Sequence, residues 1–355
     1  MNPTEIQEGI IMTNSTQSLE QANLPILDFS LFEQGGEARE QFLKELLYSA
    51  HEIGFFYIKN HGVSQALLQE AQSLSKAFFN LSLEEKLEVA EVNSPHFRGY
   101  TRVNGEITRK KPDTREQFDT MLEYPALPIN EIPTNKPWLR IYGPNQWPAQ
   151  LPSIKTVFET LQKEQTALAI SLLKAFALAL GQDEDAFANI YRDKPSVVLR
   201  AIHYPGVENS EQGVGAHKDF GVLTFVQQGD VAGLEVLKED EWVVATPIEG
   251  TFVVNIGELL EAATNGFLKA TLHRVTPTKV GESRYSLAYF LNSDLDSEVP
   301  NLTLPEALQQ HVAGITQDPN NPIYSNVGKN LLKGRLRSHP DVAARFYADV
   351  DIESL

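Results

Sequence analysis

Two residues that could bind a metal ion stand at the start of an apolar run. In "GVGAHKDFGVLTF", His217 and Asp219 flank Lys218 and precede residues that alternate like a β-strand. Successive side chains of a strand point to opposite faces, so on a strand the imidazole and the carboxylate share one face. On a helix the two side chains would lie about 200° apart. An extended H-x-D segment can therefore offer two ligands to one ion, although the tripeptide alone is also a common chance pattern.

A second histidine, in a later β-rich segment, strengthens the metal-site hypothesis. His273 lies in "LKATLHRVTP". Two histidines and one carboxylate form the facial triad of non-haem Fe(II) oxygenases, which leaves three corners of an octahedron free for chemistry. The chain has no cysteine, so thiolate metal sites, disulfides and cysteine nucleophiles are excluded. His203, in "RAIHYP", is the closest competitor and is kept as a candidate for a substrate role.

An arginine follows on a segment that is apolar on both faces. In "RYSLAYFLN", Arg284 and Ser286 share one strand face with Ala288 and Phe290. A buried arginine needs an anion, because an unpaired buried charge costs several kcal/mol. A guanidinium binds a carboxylate through two parallel hydrogen bonds. The pattern alone leaves open whether that anion is a ligand or an acidic residue of the chain.

The elements that position these residues change in character along the chain. Hydrophobic spacing predicts helices over 37–53 and in "SQALLQEAQSLSKAFFN", a short helix capped by Ser82 and Glu85, and a long helix over 153–180 that Gly181 ends. Residues 93–150 are rich in Pro, Gly, Asn and charge, which predicts long loops. From 196 to 292 short β-rich runs alternate with turn residues, and helical pieces close the chain. The predicted fold class is α+β, mainly β with flanking helices around an antiparallel sandwich or barrel.

Composition excludes several classes of partner. The chain of 355 residues carries 30 basic and 47 acidic residues, a net charge of −17, which disfavours nucleic acid and anionic membrane surfaces. The longest apolar run is interrupted by Lys174 and is too short to span a membrane. Residues 1–22 lack the features of a signal peptide and are predicted to be a flexible tail, with Met12 as an alternative start. The expected location is cytoplasmic.

The order and spacing of these motifs over roughly residues 24–295 resemble the isopenicillin N synthase-like branch of the Fe(II)/2-oxoglutarate-dependent dioxygenases. The resemblance is carried by "LPILDFS", "GFFYIKNHGV", "HKDFGVLTFVQQGDVAGLEV", "GTFVVNIGELLEAATNGFLKATLHRV" and "RYSLAYFLN". It implies a double-stranded β-helix, or jelly roll, packed against N-terminal and central helices. The implied single oxygenase domain covers 23–355, with a mostly helical part at 23–195 that includes a substrate-loop region at 93–150, a jelly-roll core at 196–295 and a C-terminal helical segment at 296–355.

The resemblance also assigns roles to residues. It implies that His217, Asp219 and His273 bind Fe(II), and that Arg284, Ser286 and Tyr204 bind the far carboxylate of 2-oxoglutarate. The implied reaction consumes O2 and 2-oxoglutarate, releases succinate and CO2, and hydroxylates or desaturates a small molecule. Asp219 argues against halogenation, because halogenating relatives lack this carboxylate. Lys218 replaces the small hydroxylated residue usual in the family, and its side chain is expected to face away from the metal.

Three alternatives remain open at this stage. The first is an oxidase of the isopenicillin N synthase type, in which the equivalent arginine and serine bind the substrate itself, and the second is an enzyme that forms ethylene from 2-oxoglutarate. The third belongs to another class, a catalytically silent jelly-roll binding protein or a zinc-loaded isomerase. Cationic loop residues suggest a carboxylated substrate, although solvated loop charge explains them equally well. The candidate substrate residues are Arg98, Tyr100, Arg115, His203 and Phe290.

Overall fold

The computed structural model describes residues 23–299, 301–315 and 323–351. The predicted tail over 1–22, with Met12, lies outside the described residues. The strands are β1 Ile26–Asp28, β2 Phe55–Lys59, β3 Gly99–Thr101, β4 Ile107–Thr108, β5 Lys111–Pro112, β6 Glu116–Met121, β7 Val197–Pro205, β8 Val214–His217, β9 Leu223–Gln228, β10 Leu234–Lys238, β11 Glu241–Val244, β12 Phe252–Ile256, β13 His273–Val275 and β14 Ser283–Leu291. The α-helices are α1 Ser30–Gln34, α2 Gly36–Glu52, α3 Gln65–Phe79, α4 Leu83–Glu88, α5 Ser153–Ala179, α6 Ala188–Tyr191, α7 Glu258–Ala263, α8 Glu306–Gln309, α9 Val327–Ser338 and α10 Pro340–Phe346.

Two sheets enclose the interior. The major sheet has the order β1-β2-β12-β9-β14-β7-β6-β3, and the minor sheet has the order β11-β10-β13-β8. Apart from the parallel pair β1 and β2, neighbouring strands of both sheets are antiparallel. Apolar residues of both sheets, among them Phe55 and Tyr204 of the major sheet and Val236 and Val275 of the minor sheet, form one buried cluster. The predicted mainly β sandwich with flanking helices is confirmed.

The central strand β14 is covered on both faces, as its sequence predicts. Leu287 and Tyr289 pack into the large cluster that contains the apolar side of α5, and the Tyr289 hydroxyl donates to Thr166 Oγ1 at 2.9 Å. Ser286 and Ala288 face the space between the sheets. The helix layer therefore supports the major sheet from outside, while the inner face is left for a cavity.

The predicted helices form close to their expected limits. Helix α4 begins with a complete capping box, in which Ser82 and Glu85 each bind the backbone N–H of the other. Helix α5 ends one residue short of the predicted limit, and Gly181 follows it with a φ of +70°, a conformation that glycine adopts without strain. None of the helices in the described ranges is both long enough and apolar enough to cross a bilayer.

The region 93–150 contains more regular structure than its composition predicts. β3 and β6 extend the major sheet beyond β7, and every residue of β6 is buried. The strand was missed because its charged residues suggest a solvated loop. In the structure these charges are paired internally, for example Asp119 with Arg200 through two 2.7 Å hydrogen bonds. Pairing offsets much of the cost of burying these charges, so they do not prevent a buried strand.

These pairs belong to a larger group, here called the buried charge cluster, which joins β6 and β7 to the C-terminal helices. Arg335 of α9 lies 3.0 Å from Asp119, and His339 Nδ1 lies 2.9 Å from Glu91. The acidic members are Glu91, Glu106, Asp113 and Asp119, and the basic members are Arg115, Arg200, Arg335 and His339. The cluster fixes the C-terminal helices to the strands that form the cavity.

The His339–Glu91 pair predicts a pH dependence of stability. Burial alone would lower the pKa of His339, but the charges of Glu91 and Glu106 and the hydrogen bond to Glu91 outweigh it and raise that pKa. The stabilisation is therefore complete below the unfolded-state pKa of about 6.5 and is lost as the pH rises through the higher folded-state pKa. We expect His339→Gln to lower the free energy of unfolding by about 3 kcal/mol at pH 6, and to flatten the pH profile above it. Denaturant titrations over this pH range measure both effects, and wild-type and variant curves that run parallel would contradict the assignment.

Candidate active site

Three side chains converge at one end of the cavity between the sheets. His217 is the last residue of β8 and pairs in register with His273, the first residue of β13. Asp219 lies in the loop after β8, and its Oδ1 lies 3.5 Å from Nε2 of each histidine. The three possible ligand atoms lie within 4.8 Å of one another. Bonds of roughly 2.0–2.2 Å at right angles place neighbouring ligand atoms about 3 Å apart, so these atoms need only a small adjustment to bind one ion.

Backbone contacts orient both imidazoles toward Asp219. His217 Nδ1 lies 2.8 Å from the carbonyl oxygen of Gly215, and His273 Nδ1 lies 3.1 Å from that of Thr271. When each Nδ1–H donates to its carbonyl, the lone pair of each Nε2 points to Asp219. Metal-binding histidines in proteins are held in this way by an outer hydrogen bond.

Asp219 is fixed by two side chains that the sequence analysis missed. Its Oδ2 accepts hydrogen bonds from Thr224 Oγ1 at 2.5 Å and Asn255 Nδ2 at 2.8 Å, which leaves Oδ1 directed at the histidines. Burial alone would raise the pKa of the Asp219 carboxyl, but His273 and His217 hold it well below its usual value, so the group is ionised. Thr224 and Asn255 could have been recognised as polar residues inside the apolar strands "LTF" and "VVNI".

The prediction that His217 and Asp219 converge because they share one strand face is wrong. The two residues do not share a strand face, because β8 ends at His217. The carboxylate reaches the histidines through the following loop, where the contacts with Thr224 and Asn255 hold it.

Lys218 points away from the triad, as expected. Its Nζ lies 3.3 Å from both carboxylate oxygens of Glu261 in α7. The departure from the small residue usual at this position therefore leaves the triad geometry intact.

The contact between Asn255 and Asp219 predicts the effect of a conservative change. Asn255→Leu keeps the side-chain volume but removes the donor to Oδ2, so we expect Fe(II) affinity to fall about 10- to 100-fold. Anaerobic titration with Fe(II) measures this. Lys218→Ser is the matched control, since it alters the residue between two triad members but not their contacts, and we expect it to retain the wild-type affinity within about twofold. Equal losses in the two variants would show that the loss does not come from the Oδ2 contact.

The cavity extends from the triad to a buried, unpaired arginine. Arg284 is 2% exposed, and its Nε and Nη1 have no hydrogen-bond partner. No carboxylate of the described residues lies within ion-pair distance of it, so the internal salt bridge left open above is absent from that part of the chain. The Tyr204 ring lies 4.7 Å from the guanidinium carbon, and Ser286 follows on the same face of β14. This arrangement fits a ligand carboxylate, which would complete the hydrogen bonding of the guanidinium.

Two of the predicted substrate residues lie in the cavity wall. Phe290 and Arg115 both line the cavity together with the triad and Arg284. Arg115 is not a solvated loop cation, since it is buried and paired with Glu106 and Asp113.

The other three predicted substrate residues lie elsewhere in the structure. The Arg98 guanidinium is fully buried and donates to the carbonyl oxygens of Leu122 and Ile141, so it holds loops together. The Tyr100 hydroxyl donates to Glu116 Oε2 at 2.6 Å, and His203 Nδ1 lies 2.8 Å from Glu116 Oε1. Strand alternation explains His203: because Tyr204 faces the cavity, its neighbour in β7 must face the helix layer.

Comparison with known proteins agrees with this geometry. Residues 24–150 match the family described as non-haem dioxygenase in morphine synthesis N-terminal, and residues 194–293 match the 2OG-Fe(II) oxygenase superfamily. The 2-oxoglutarate-dependent dioxygenase frbJ of Dothideomycetidae sp. (strain 11243) is 34% identical over 91% of this chain and 92% of its own length. Homoarginine-6-hydroxylase 2-ODD-C23 of Glycine max is 35% identical over 74% of this chain and 80% of its own length. The crystal structure of a full-length Neurospora crassa protein in complex with alpha-KG and 5-formyluracil superposes with a TM-score of 0.71 at 28% identity, over 92% of this chain and 99% of the other.

The chain belongs to the 2OG-Fe(II) oxygenase superfamily. It is an Fe(II)- and 2-oxoglutarate-dependent oxidoreductase that uses O2 to oxidise a small-molecule substrate. The family and the cofactors predicted from the sequence are confirmed.

Proposed function

We propose that His217, Asp219 and His273 bind the Fe(II), that Arg284, Ser286 and Tyr204 bind the far carboxylate of 2-oxoglutarate, and that the enzyme hydroxylates a small molecule bearing a carboxylate. The observation that carries the proposal is the unpaired guanidinium of Arg284 in the same cavity as the triad. A ligand with two anionic ends can pair with the arginine at one end and with the metal at the other. A binding protein without redox chemistry has no use for both features in one cavity.

Each residue of the chain has a defined task in this scheme. His217, Asp219 and His273 would hold the Fe(II), which would supply the activation of O2. Asp219 stays deprotonated because the histidines lower its pKa, so it can bind the metal at neutral pH. Arg284 sets the position of 2-oxoglutarate by gripping the end remote from the metal. The cavity wall between these groups is apolar and includes Val226, Leu234 and Ala288, which keeps bulk water away from the reacting centre.

A carboxylated substrate is supported by two further observations. Arg115 presents a second guanidinium to the cavity, and its Nε has no hydrogen-bond partner. One of the relatives is a homoarginine hydroxylase, whose substrate by that name carries a carboxylate. Hydroxylation is proposed over desaturation because it is the reaction named for that relative.

A substrate screen tests the proposal. The purified enzyme is incubated with Fe(II), 2-oxoglutarate and air in the presence of individual carboxylic acids and of matched neutral compounds, and succinate and product masses are recorded. We expect a carboxylic acid to stimulate succinate release and to gain one oxygen atom. A product that has lost two hydrogen atoms would replace hydroxylation by desaturation, and ethylene in the headspace would identify the ethylene-forming reaction. Stimulation by neutral compounds alone would contradict the carboxylated substrate.

A further inference from the structure

A second set of unpaired polar atoms lies on the inner face of the major sheet, beside the buried charge cluster. Gln117 of β6 is 1% exposed, and neither its Oε1 nor its Nε2 has a hydrogen-bond partner. Burying an amide without partners is costly, and where such an amide lies beside a cavity a bound molecule can complete its hydrogen bonds.

The register of the sheet places this amide on the cavity side. Asp119, two residues along β6, bonds to Arg200, while Glu116 and Phe118 contact His203 and the α5 residue Phe158 on the helix side. Gln117 therefore faces inward by strand alternation. Its neighbour across the sheet is Ile202, which lines the cavity, as does Arg115 two residues before it.

Two groups of polar side chains on this side of the major sheet, Arg284 with Ser286 and Arg115 with Gln117, are separated across the sheet. Ser286 of β14 pairs with Ile202 of β7, and Ile202 pairs with Gln117 of β6. With neighbouring strands about 4.8 Å apart, the backbones at Ser286 and Gln117 are about 10 Å apart. Arg284 and Ser286 form the group assigned to 2-oxoglutarate, so the group of Arg115 and Gln117 remains for the primary substrate.

The charges around Arg115 indicate what kind of substrate fits. The buried charge cluster contains four acidic residues, three arginines and one histidine. Arg115 is already shared between Glu106 and Asp113, so the cluster holds no excess positive charge for a simple anion. A ligand that carries its own positive charge beside its carboxylate suits this environment better.

We propose that Gln117, together with Arg115, binds the headgroup of an α-amino acid and so determines substrate specificity. This inference rests on the proposed function and refines its substrate class. Arg115 and the Gln117 Nε2–H donate to the carboxylate, and Gln117 Oε1 accepts from the ammonium group. A carboxamide is suited to this role because it offers a donor and an acceptor side by side.

The test is calorimetric titration of the enzyme loaded anaerobically with Fe(II) and 2-oxoglutarate. The probes are L-homoarginine, the standard L-amino acids, and the analogue of each bound amino acid that lacks the α-amino group. We expect at least one amino acid to bind, its deaminated analogue to bind more weakly, and Gln117→Leu to weaken amino-acid binding at least about tenfold. Gln117→Met is the second variant if the leucine variant does not fold, because methionine is unbranched like glutamine and lacks the amide donor and acceptor, and it is expected to weaken amino-acid binding to the same extent.

Gln165→Leu is the matched control. Gln165 is also a fully buried amide with both polar atoms unpaired, but it lies on α5. We expect this variant to bind amino acids like the wild type. An equal loss in the Gln165 and Gln117 variants would overturn the proposal.

Two further results would also overturn it. The first is the absence of binding by any amino acid in the panel, and the second is weakened 2-oxoglutarate binding in Gln117→Leu, which would assign the amide to the cosubstrate. The 2-oxoglutarate charge-transfer absorption of the wild type is recorded before any amino acid is added. Its absence would refute the proposed function, and its presence without amino-acid binding would refute this inference alone.

Discussion

Asp219→Ala is expected to abolish 2-oxoglutarate turnover. The variant removes the carboxylate that we propose as a metal ligand, and it leaves Thr224 and Asn255 without the group that they bind. Loss of an outer hydrogen bond costs about 10- to 100-fold in metal affinity, so loss of the ligand itself should cost at least about 100-fold. Succinate release under saturating 2-oxoglutarate and the iron content after anaerobic reconstitution measure the two effects.

The exposed Asp193 supplies the control for this experiment. Asp193→Ala makes the same chemical change on the surface, and we expect it to keep wild-type turnover and iron content. Far-UV circular dichroism shows whether both variants fold. A folded Asp219→Ala enzyme that retains its turnover would exclude the triad as the metal site.

Arg284→Leu is expected to raise the 2-oxoglutarate concentration needed for half-maximal turnover by at least about 100-fold. The variant would remove the two charge-assisted hydrogen bonds that we propose between the guanidinium and 2-oxoglutarate, and such bonds contribute about 1.5–3 kcal/mol each. Titration of the charge-transfer absorption with 2-oxoglutarate under anaerobic conditions gives the affinity directly. Arg284→Lys keeps the charge but not the planar fork, so its affinity should fall between those of the other two proteins.

Arg284→Leu should not lower the stability of the ligand-free protein, although it replaces a buried residue. Because the guanidinium is buried and has no ion-pair partner among the described residues, replacing it with leucine removes an uncompensated charge from the interior. Without 2-oxoglutarate, the melting temperature should therefore be equal to or higher than that of the wild type. The stabilisation that 2-oxoglutarate and Fe(II) give the wild type should be lost.

The exposed Arg192 provides the comparison for these melting curves. Arg192→Leu should leave both the melting temperature and its increase with 2-oxoglutarate close to the wild-type values. If Arg284→Leu instead melts well below the wild type in the absence of ligand, Arg284 is a structural residue and the assignment to 2-oxoglutarate fails.

Strand alternation made much of the core predictable from the sequence. In "RYSLAYFLN" it separates a polar face with Arg284 and Ser286 from an apolar face with Leu287 and Tyr289, and the structure places these faces on the cavity and the helix layer. The same rule, applied to "HYP", would have placed His203 opposite Tyr204 and removed it from the substrate candidates.

The pairing partners of the polar residues were not predictable. The contacts of Thr224 and Asn255 with one oxygen of Asp219 join residues 5 and 36 positions away from it. The buried charges of β6 look like a solvated loop until Arg200 and Arg335 are known to neutralise them. The spacing of apolar residues predicts which face of a helix or strand is buried. It does not predict which polar side chains meet, because the tertiary fold brings them together.

Anomalous diffraction at the iron absorption edge tests the central claim most directly. Crystals grown anaerobically with Fe(II) and 2-oxoglutarate should show one strong iron peak bound by Nε2 of His217, Nε2 of His273 and Oδ1 of Asp219. The far carboxylate of 2-oxoglutarate should lie against the Arg284 guanidinium. Iron bound elsewhere, or 2-oxoglutarate oriented with neither carboxylate at Arg284, would contradict the account.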